Sequence, residues 1–261
     1  MQNISFTRAI LENWGIHIED IPTSQYNEAD FIAKFGNTNV LIEEKMKKDD
    51  PHYLSARSDE LEKGNIHLKT LPITRQETLS GIVRKAAKQL RSSSKHMEYD
   101  FRLLWFTATG IHAYGQYEQF ISTIYGTTKI IAMDSMEHYR TCYYFRYADF
   151  IRRADVLDGA IAAYIDGKTI HAKLCLNALS SNYERLKQST VAQYFDTAIE
   201  DPKELEASGS AFVLDDCQLN RREENPLLCH LQKKYKTAPL MNMDLGYTHI
   251  STLVPKDESS S

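Results

Sequence analysis

The chain has 261 residues, 42% of them hydrophobic and 25% charged, enough for one large core or two small ones. Its 31 Lys and Arg against 35 Asp and Glu leave a formal net charge of -4, which excludes a uniformly basic nucleic-acid-binding domain and confines any such surface to a local patch. No apolar run approaches the roughly 20 residues that span a bilayer, and no basic, apolar leader opens the sequence, so no membrane partner and a cytoplasmic location are expected.

Phe6, Ile10 and Trp14 recur every four residues and stack on one helical face, with Gly15 as the stop. Ile16 to Ile21 alternates apolar and polar residues as a short strand does, and the turn-forming residues 22–27 follow. Two strand-like runs, Ala29 to Phe35 and Asn39 to Lys47, flank Gly36-Asn37-Thr38, which reads as a β-hairpin. The stretch from Lys48 to Thr70 is polar, charged and aperiodic, and is expected to form a surface insertion or lid.

Thr74-Arg75-Gln76-Glu77 matches a capping box ahead of Leu79, Ile82, Val83, Ala86, Ala87 and Leu90, spaced as in an amphipathic helix. Phe101 to Thr109 then reads as a buried strand, Tyr117 to Tyr125 as a helix and Thr128 to Met133 as a strand. Beyond Asp134 the periodicity weakens. Gly159 to Tyr164 and Ala211 to Leu214 suit strands, while Asn182 to Phe195 and Leu227 to Tyr235 suit helices, the latter opened by Pro226. Pro255 to Ser261 is polar and expected to fray. Cys142, Cys175, Cys217 and Cys229 lack zinc spacing and read as free, mostly buried thiols.

Chemistry concentrates in the hairpin. Side chains alternate along a strand, so Glu43 and Lys45 share one face while Ile42 and Glu44 share the other. The hairpin returns Asp30 to the same end, so that two carboxylates and one ammonium converge. Two carboxylates at a strand end form a partial cage for a hard cation such as magnesium, suited to phosphodiester hydrolysis. A solvated edge strand with alternating charges is the bland alternative. Against it, charges closing the apolar run Val40-Leu41-Ile42 are costly when buried.

On these residues the sequence resembles the PD-(D/E)XK, or restriction-endonuclease-like, nuclease superfamily. Asp30 matches its first aspartate and Glu43-Glu44-Lys45 its (D/E)-x-K, although Ala29 stands where the motif has proline. The resemblance covers about residues 5–110. It implies an α/β fold with a restriction-endonuclease-like core, a central mixed β-sheet flanked by helices and a C-terminal α+β extension. Residues 1–135 would form the core, with residues 48–73 inserted, and residues 136–261 the extension, either beside the core or as part of the same domain.

The resemblance further implies a Mg2+ ion, replaceable by Mn2+, held by Asp30, Glu43 and the backbone carbonyl of Glu44. Asp30, Glu43 and Lys45 would be catalytic, joined by Gln89 on the following helix and by Glu12 on the first. It points to DNA cleavage in restriction or anti-phage defence, by a homodimer or with a partner such as a helicase or NTPase. A catalytically inactive binding or assembly module of the same fold is the alternative.

Lys85, Lys88 and Arg91, with Arg84 and Lys95, form a basic stripe that would meet a nucleic-acid backbone, or be a solvated helix face. Tyr143, Tyr144, Phe145 and Tyr147 beside Arg146, Arg152 and Arg153 read as packing, His112 and Tyr114 as incidental, and Asp215, Asp216, Glu223 and Glu224 as a solvated loop.

Overall fold

Gly36, at φ +61°, closes the turn that pairs β2 (Phe31–Phe35) with β3 (Thr38–Lys47) in antiparallel register, Phe31 opposite Ile42. This hairpin founds the central sheet. The computed structural model describes residues 5–22, 28–216, 218–243 and 248–253, so most of the turn after the first predicted strand, Cys217 and Pro255 to Ser261 lie outside the described residues. The fold is α/β, with a mixed multi-stranded sheet flanked by helices.

Outside β2 lies β1 (His17–Asp20), antiparallel to it. On the inner side β3 runs parallel to β5 (Phe101–Ala108), and β5 runs parallel to β8 (Gly159–Asp166). The sheet continues through β9 (Thr169–Leu176), antiparallel to β8, to the short β10 (Ile199–Glu200). Strands from the C-terminal half thus complete the sheet that the hairpin begins.

One face of the sheet, carrying Leu41, Leu104, Phe106 and Ala160, packs against α3 (Glu77–Ser93) and α4 (Ala113–Tyr125) through Leu79, Val83, Leu90, Phe120 and Ile124. The opposite face, with Val40, Ile42, Leu103 and Trp105, is covered by α1 (Phe6–Asn13), α6 (Tyr183–Lys187) and α7 (Thr190–Phe195). Each central strand is apolar on both faces, as a sheet sandwiched between helices requires.

A second sheet orders β11 (Ala211–Val213), β7 (Ser135–Tyr143), β6 (Thr128–Ala132) and β12 (Leu240–Asn242). The short helices α5 (Asp149–Arg152) and α8 (Pro202–Ala207), and α9 (Glu224–Tyr235), complete the chain. Among the described residues no helix is long and apolar enough to cross a membrane.

Three expectations are corrected. The stretch from Lys48 to Thr70 is not irregular: it holds α2 (Pro51–Glu62) and most of β4 (His67–Pro72), which pairs with β13 (Thr248–Leu253). No residue of α2 is buried, so it has no apolar stripe to read, and Asp50 capping the His52 N–H with Pro51 in the first turn defines its start. The capping box does not form either. Gln76 occupies the cap position, its N–H donates to Thr123 Oγ1 of α4 at 3.0 Å, and Glu77 pairs with Arg75.

The single helix expected over Asn182 to Phe195 breaks into α6 and α7 at Gln188 and Ser189, where Thr190 Oγ1 donates to Phe35 O at 2.7 Å and ties α7 to the hairpin turn. Among the thiols, Cys142 and Cys175 are free and buried, but Cys229 is exposed.

Candidate active site

The hairpin register settles which side chains meet. Asp30 precedes β2 and lies exposed, and its Oδ2 accepts the Glu44 N–H at 2.7 Å, clamping the start of one strand to the end of the other. Glu43, on the face of Leu41, is 0% exposed. Its Oε1 receives the Lys45 ammonium, whose side chain keeps 26% exposure and so reaches solvent. Asp30, Glu43 and Lys45 therefore come together on the α3 side of the sheet.

Glu43 is held in an unfavourable state. Burial pushes its carboxyl up to about 8; the Lys45 ammonium works against that shift, and the adjacent Asp30 carboxylate adds to it. Its second oxygen, Oε2, is sealed from solvent and finds no hydrogen-bond donor. An unsatisfied buried carboxylate oxygen beside a second carboxylate fits a hard divalent cation, which would satisfy the oxygen and offset both negative charges. Among the described residues no three His, Cys, Asp or Glu side chains form a metal-binding group. A cation here would take two carboxylates and complete its shell from backbone and water, as magnesium does.

Glu44 points the other way. Its carboxylate accepts from Thr7 Oγ1 at 2.6 Å, from the Thr7 N–H at 3.2 Å and from Ser5 Oγ, capping the start of α1. An anion at a helix N-terminus satisfies otherwise orphaned N–H groups and complements the dipole. Only the backbone carbonyl of Glu44 thus remains for the role the resemblance gives it. Glu12 is a correction: it pairs with Arg8 at 3.6 Å, is 57% exposed, and belongs to α1, on the opposite face from Glu43.

Gln89 reaches the site indirectly. Its Nε2 donates to Glu28 O at 3.0 Å, while Ser93 Oγ, one turn on, accepts the Ala29 N–H at 2.8 Å. Together they grip the two residues before Asp30, so Gln89 is a positioning residue. Lys85 and Lys88 lie exposed on the outer side of α3, and Arg91 pairs with Asp155 at 2.5 Å. Arg152 and Arg153 of the α5 segment extend this stripe. Burial lowers the Arg153 pKa against the pull of Asp149, and Arg152, Arg84 and Arg91 lower it further, which places four guanidinium groups within electrostatic range.

Tyr143, Tyr144 and Phe145 are buried, in keeping with packing. Asp215 pairs with Lys234 at 3.1 Å, Asp216 caps the Gln218 N–H, Glu223 accepts from Asn220 and Glu224 from Asn242, so those four acids form no common site. His112, which the sequence marks as incidental, is buried and hydrogen-bonded to Tyr53 at 2.6 Å. Ser93 and Lys47 also escaped notice, although Lys47 continues the alternation of Glu43 and Lys45. Comparison of the chain with protein-family models, curated proteins and solved structures finds no match.

Proposed function

We propose that this chain is a divalent-metal-dependent nuclease with a restriction-endonuclease-like core, hydrolysing phosphodiester bonds in DNA. The observation that carries the reading is Glu43, a fully buried acid with an unsatisfied oxygen, flanked by Asp30 and Lys45 at the end of an apolar strand. A purely structural residue at such a position would be apolar, since burying a carboxylate costs several kcal/mol.

When bound, Mg2+ or Mn2+ supplies a Lewis acid for the phosphoryl oxygen and acidifies its own water. Asp30 and Glu43 provide the anionic ligands. Lys45 is anchored on Glu43 Oε1 yet reaches solvent, so its ammonium orients the attacking water and balances the charge that builds on the phosphate. Leu41, Leu104 and Phe106 form an apolar floor beside these groups, lowering the local dielectric and strengthening each interaction. Gln89 and Ser93 keep Asp30 in place through the backbone.

The test is cleavage of plasmid, linear DNA and RNA by the purified full chain with Mg2+ or Mn2+, alone and with candidate partner proteins. Lys45→Ala is expected to lower the rate by about 10²–10³-fold with little change in DNA affinity. Calorimetric Mn2+ binding should be lost in Asp30→Asn. A wild-type chain that binds no divalent cation and cuts no nucleic acid under any of these conditions would overturn the reading.

A further inference from the structure

Beyond Lys45 the strand continues through Lys47, two residues and about 7 Å further along the same face. There the inserted α2 and β4 lean over the C-terminal ends of β3 and β5 and wall a cavity of about 550 Å³. Its lining includes Lys47, Lys48, Lys69, Tyr53, His112 and Gln116. This is the side of a parallel sheet where ligands collect, outside the carboxyl ends of the strands.

The insertion is fastened there by polar contacts. The Tyr53 hydroxyl lies 2.8 Å from His67 Nε2 and 2.6 Å from His112 Nε2, linking α2, β4 and the loop before α4. Asp49 Oδ2 accepts the Ile111 N–H at 2.7 Å and its Oδ1 accepts Gln116 Nε2 at 3.0 Å. Asp50 is engaged by the His52 N–H. Both acids at the cavity thus accept amide donors, and Asp49 also lies within electrostatic range of Lys47 and Tyr53.

The cations are not so engaged. Lys47, Lys48 and Lys69 form no ion pair with a carboxylate among the described residues; Lys69 rests over the Tyr53 ring at 4.8 Å. Lys47 is half-buried, and the desolvation that lowers its pKa outweighs the opposing pull of the nearby Asp49 carboxylate. Three ammonium groups against the two carboxylates of Asp49 and Asp50 leave this open cavity, next to a site for phosphate chemistry, with an excess of positive charge that suits an anion.

We propose that this cavity is the subsite for the phosphate flanking the scissile one, held by Lys47, Lys48 and Lys69 against the wall that the His67–Tyr53–His112 bridge fixes. The inference rests on the nuclease reading for the source of that phosphate, a nucleic-acid chain, and on the cavity alone for the anion site. Tyr53 and the two histidines act as positioning residues.

The experiment uses the full chain carrying Asp30→Asn, without divalent metal, so that binding is read apart from cleavage. Fluorescence anisotropy would follow a labelled oligonucleotide over a range of salt, with inorganic phosphate and a nucleoside monophosphate as competitors. Each of Lys47→Ala, Lys48→Ala and Lys69→Ala is expected to weaken binding several-fold and to lower the salt slope by about 1. Lys168→Ala, in the β8–β9 turn, should change neither. Tyr53→Phe should weaken binding with the salt slope of the parent, because the wall loosens while the cations remain.

Three outcomes overturn the proposal: a folded triple lysine variant that binds oligonucleotide like its parent, binding of free phosphate or nucleotide with none of oligonucleotide, or equal effects of Lys168→Ala. Weakened binding in the lysine variants, with no cleavage by the wild type under any metal, would sustain the subsite and sink the nuclease reading. Unchanged binding with intact metal-dependent cleavage would do the reverse.

Discussion

Replacing Glu43 by glutamine is expected to yield a chain that cuts no DNA and yet, without metal, is more stable than the wild type at pH 8 and above. Its carboxyl ordinarily titrates near 4.5 and is pushed up to about 8 in the folded chain, chiefly by burial. Between those values the folded state holds a proton that the unfolded state has released. Stability therefore falls as pH rises through this window, by up to about 1.4 kcal/mol per pH unit, and the full penalty is reached once pH exceeds the folded value.

Glutamine is neutral at every pH and avoids that penalty. Removing the carboxylate leaves Lys45 without its partner, but Lys45 reaches solvent and loses little. The variant should gain on the order of a few kcal/mol near pH 8.5 and little near pH 5. Calorimetry in EDTA would show this as a difference in Tm that widens with pH, at roughly 2–4 °C per kcal/mol. A variant less stable than the wild type at pH 8.5 would mean that Lys45 alone satisfies Glu43, leaving a buried ion pair with no use for a cation.

The same residue shows how far sequence carries. Glu43 and Lys45 declare themselves because alternation puts them on one face beyond an apolar run, and the turn glycine sets a register that returns Asp30 to them. The amphipathic α3 is legible for the same reason, since local periodicity and tertiary burial agree. Glu44 is legible only as far as its opposite direction: that it caps α1 depends on a contact between residues 37 positions apart.

What stayed hidden was made by contacts distant in the chain or by elements with no buried face. α2 buries nothing, and β4 is half-exposed and paired with β13 from the far end of the chain, so neither carries the pattern by which helices and strands are recognised. β7 and β9 are polar over much of their length, and their strand character comes from pairing with β6 and β8. Tyr53 lies 14 residues from His67 and 59 from His112, and no spacing rule links the three.

Gly110 gives the insertion a second, sharper test. Its φ is +101°, a backbone conformation that side chains disfavour, and a Cβ there would come within 2.8 Å of Asp49 Cγ and closer still to Oδ2. Gly110→Ala must therefore displace Asp49, breaking its bonds to the Ile111 N–H and Gln116 Nε2. Losing two hydrogen bonds to a charged acceptor costs about 1.5–3 kcal/mol each, and the backbone strain adds of order 1–3 kcal/mol. The expected result is a loss of several kcal/mol, or local release of α2 and β4 seen as faster amide exchange over residues 50–72. The metal binding proposed at Asp30 and Glu43, which touches none of these groups, should survive in whatever fraction stays folded. In an Asp49→Ala background the clash is gone, so Gly110→Ala should then cost only its backbone strain. Equal costs in the two backgrounds would mean that Asp49 does not fasten the wall, and that the cavity depends on α2 and β4 alone.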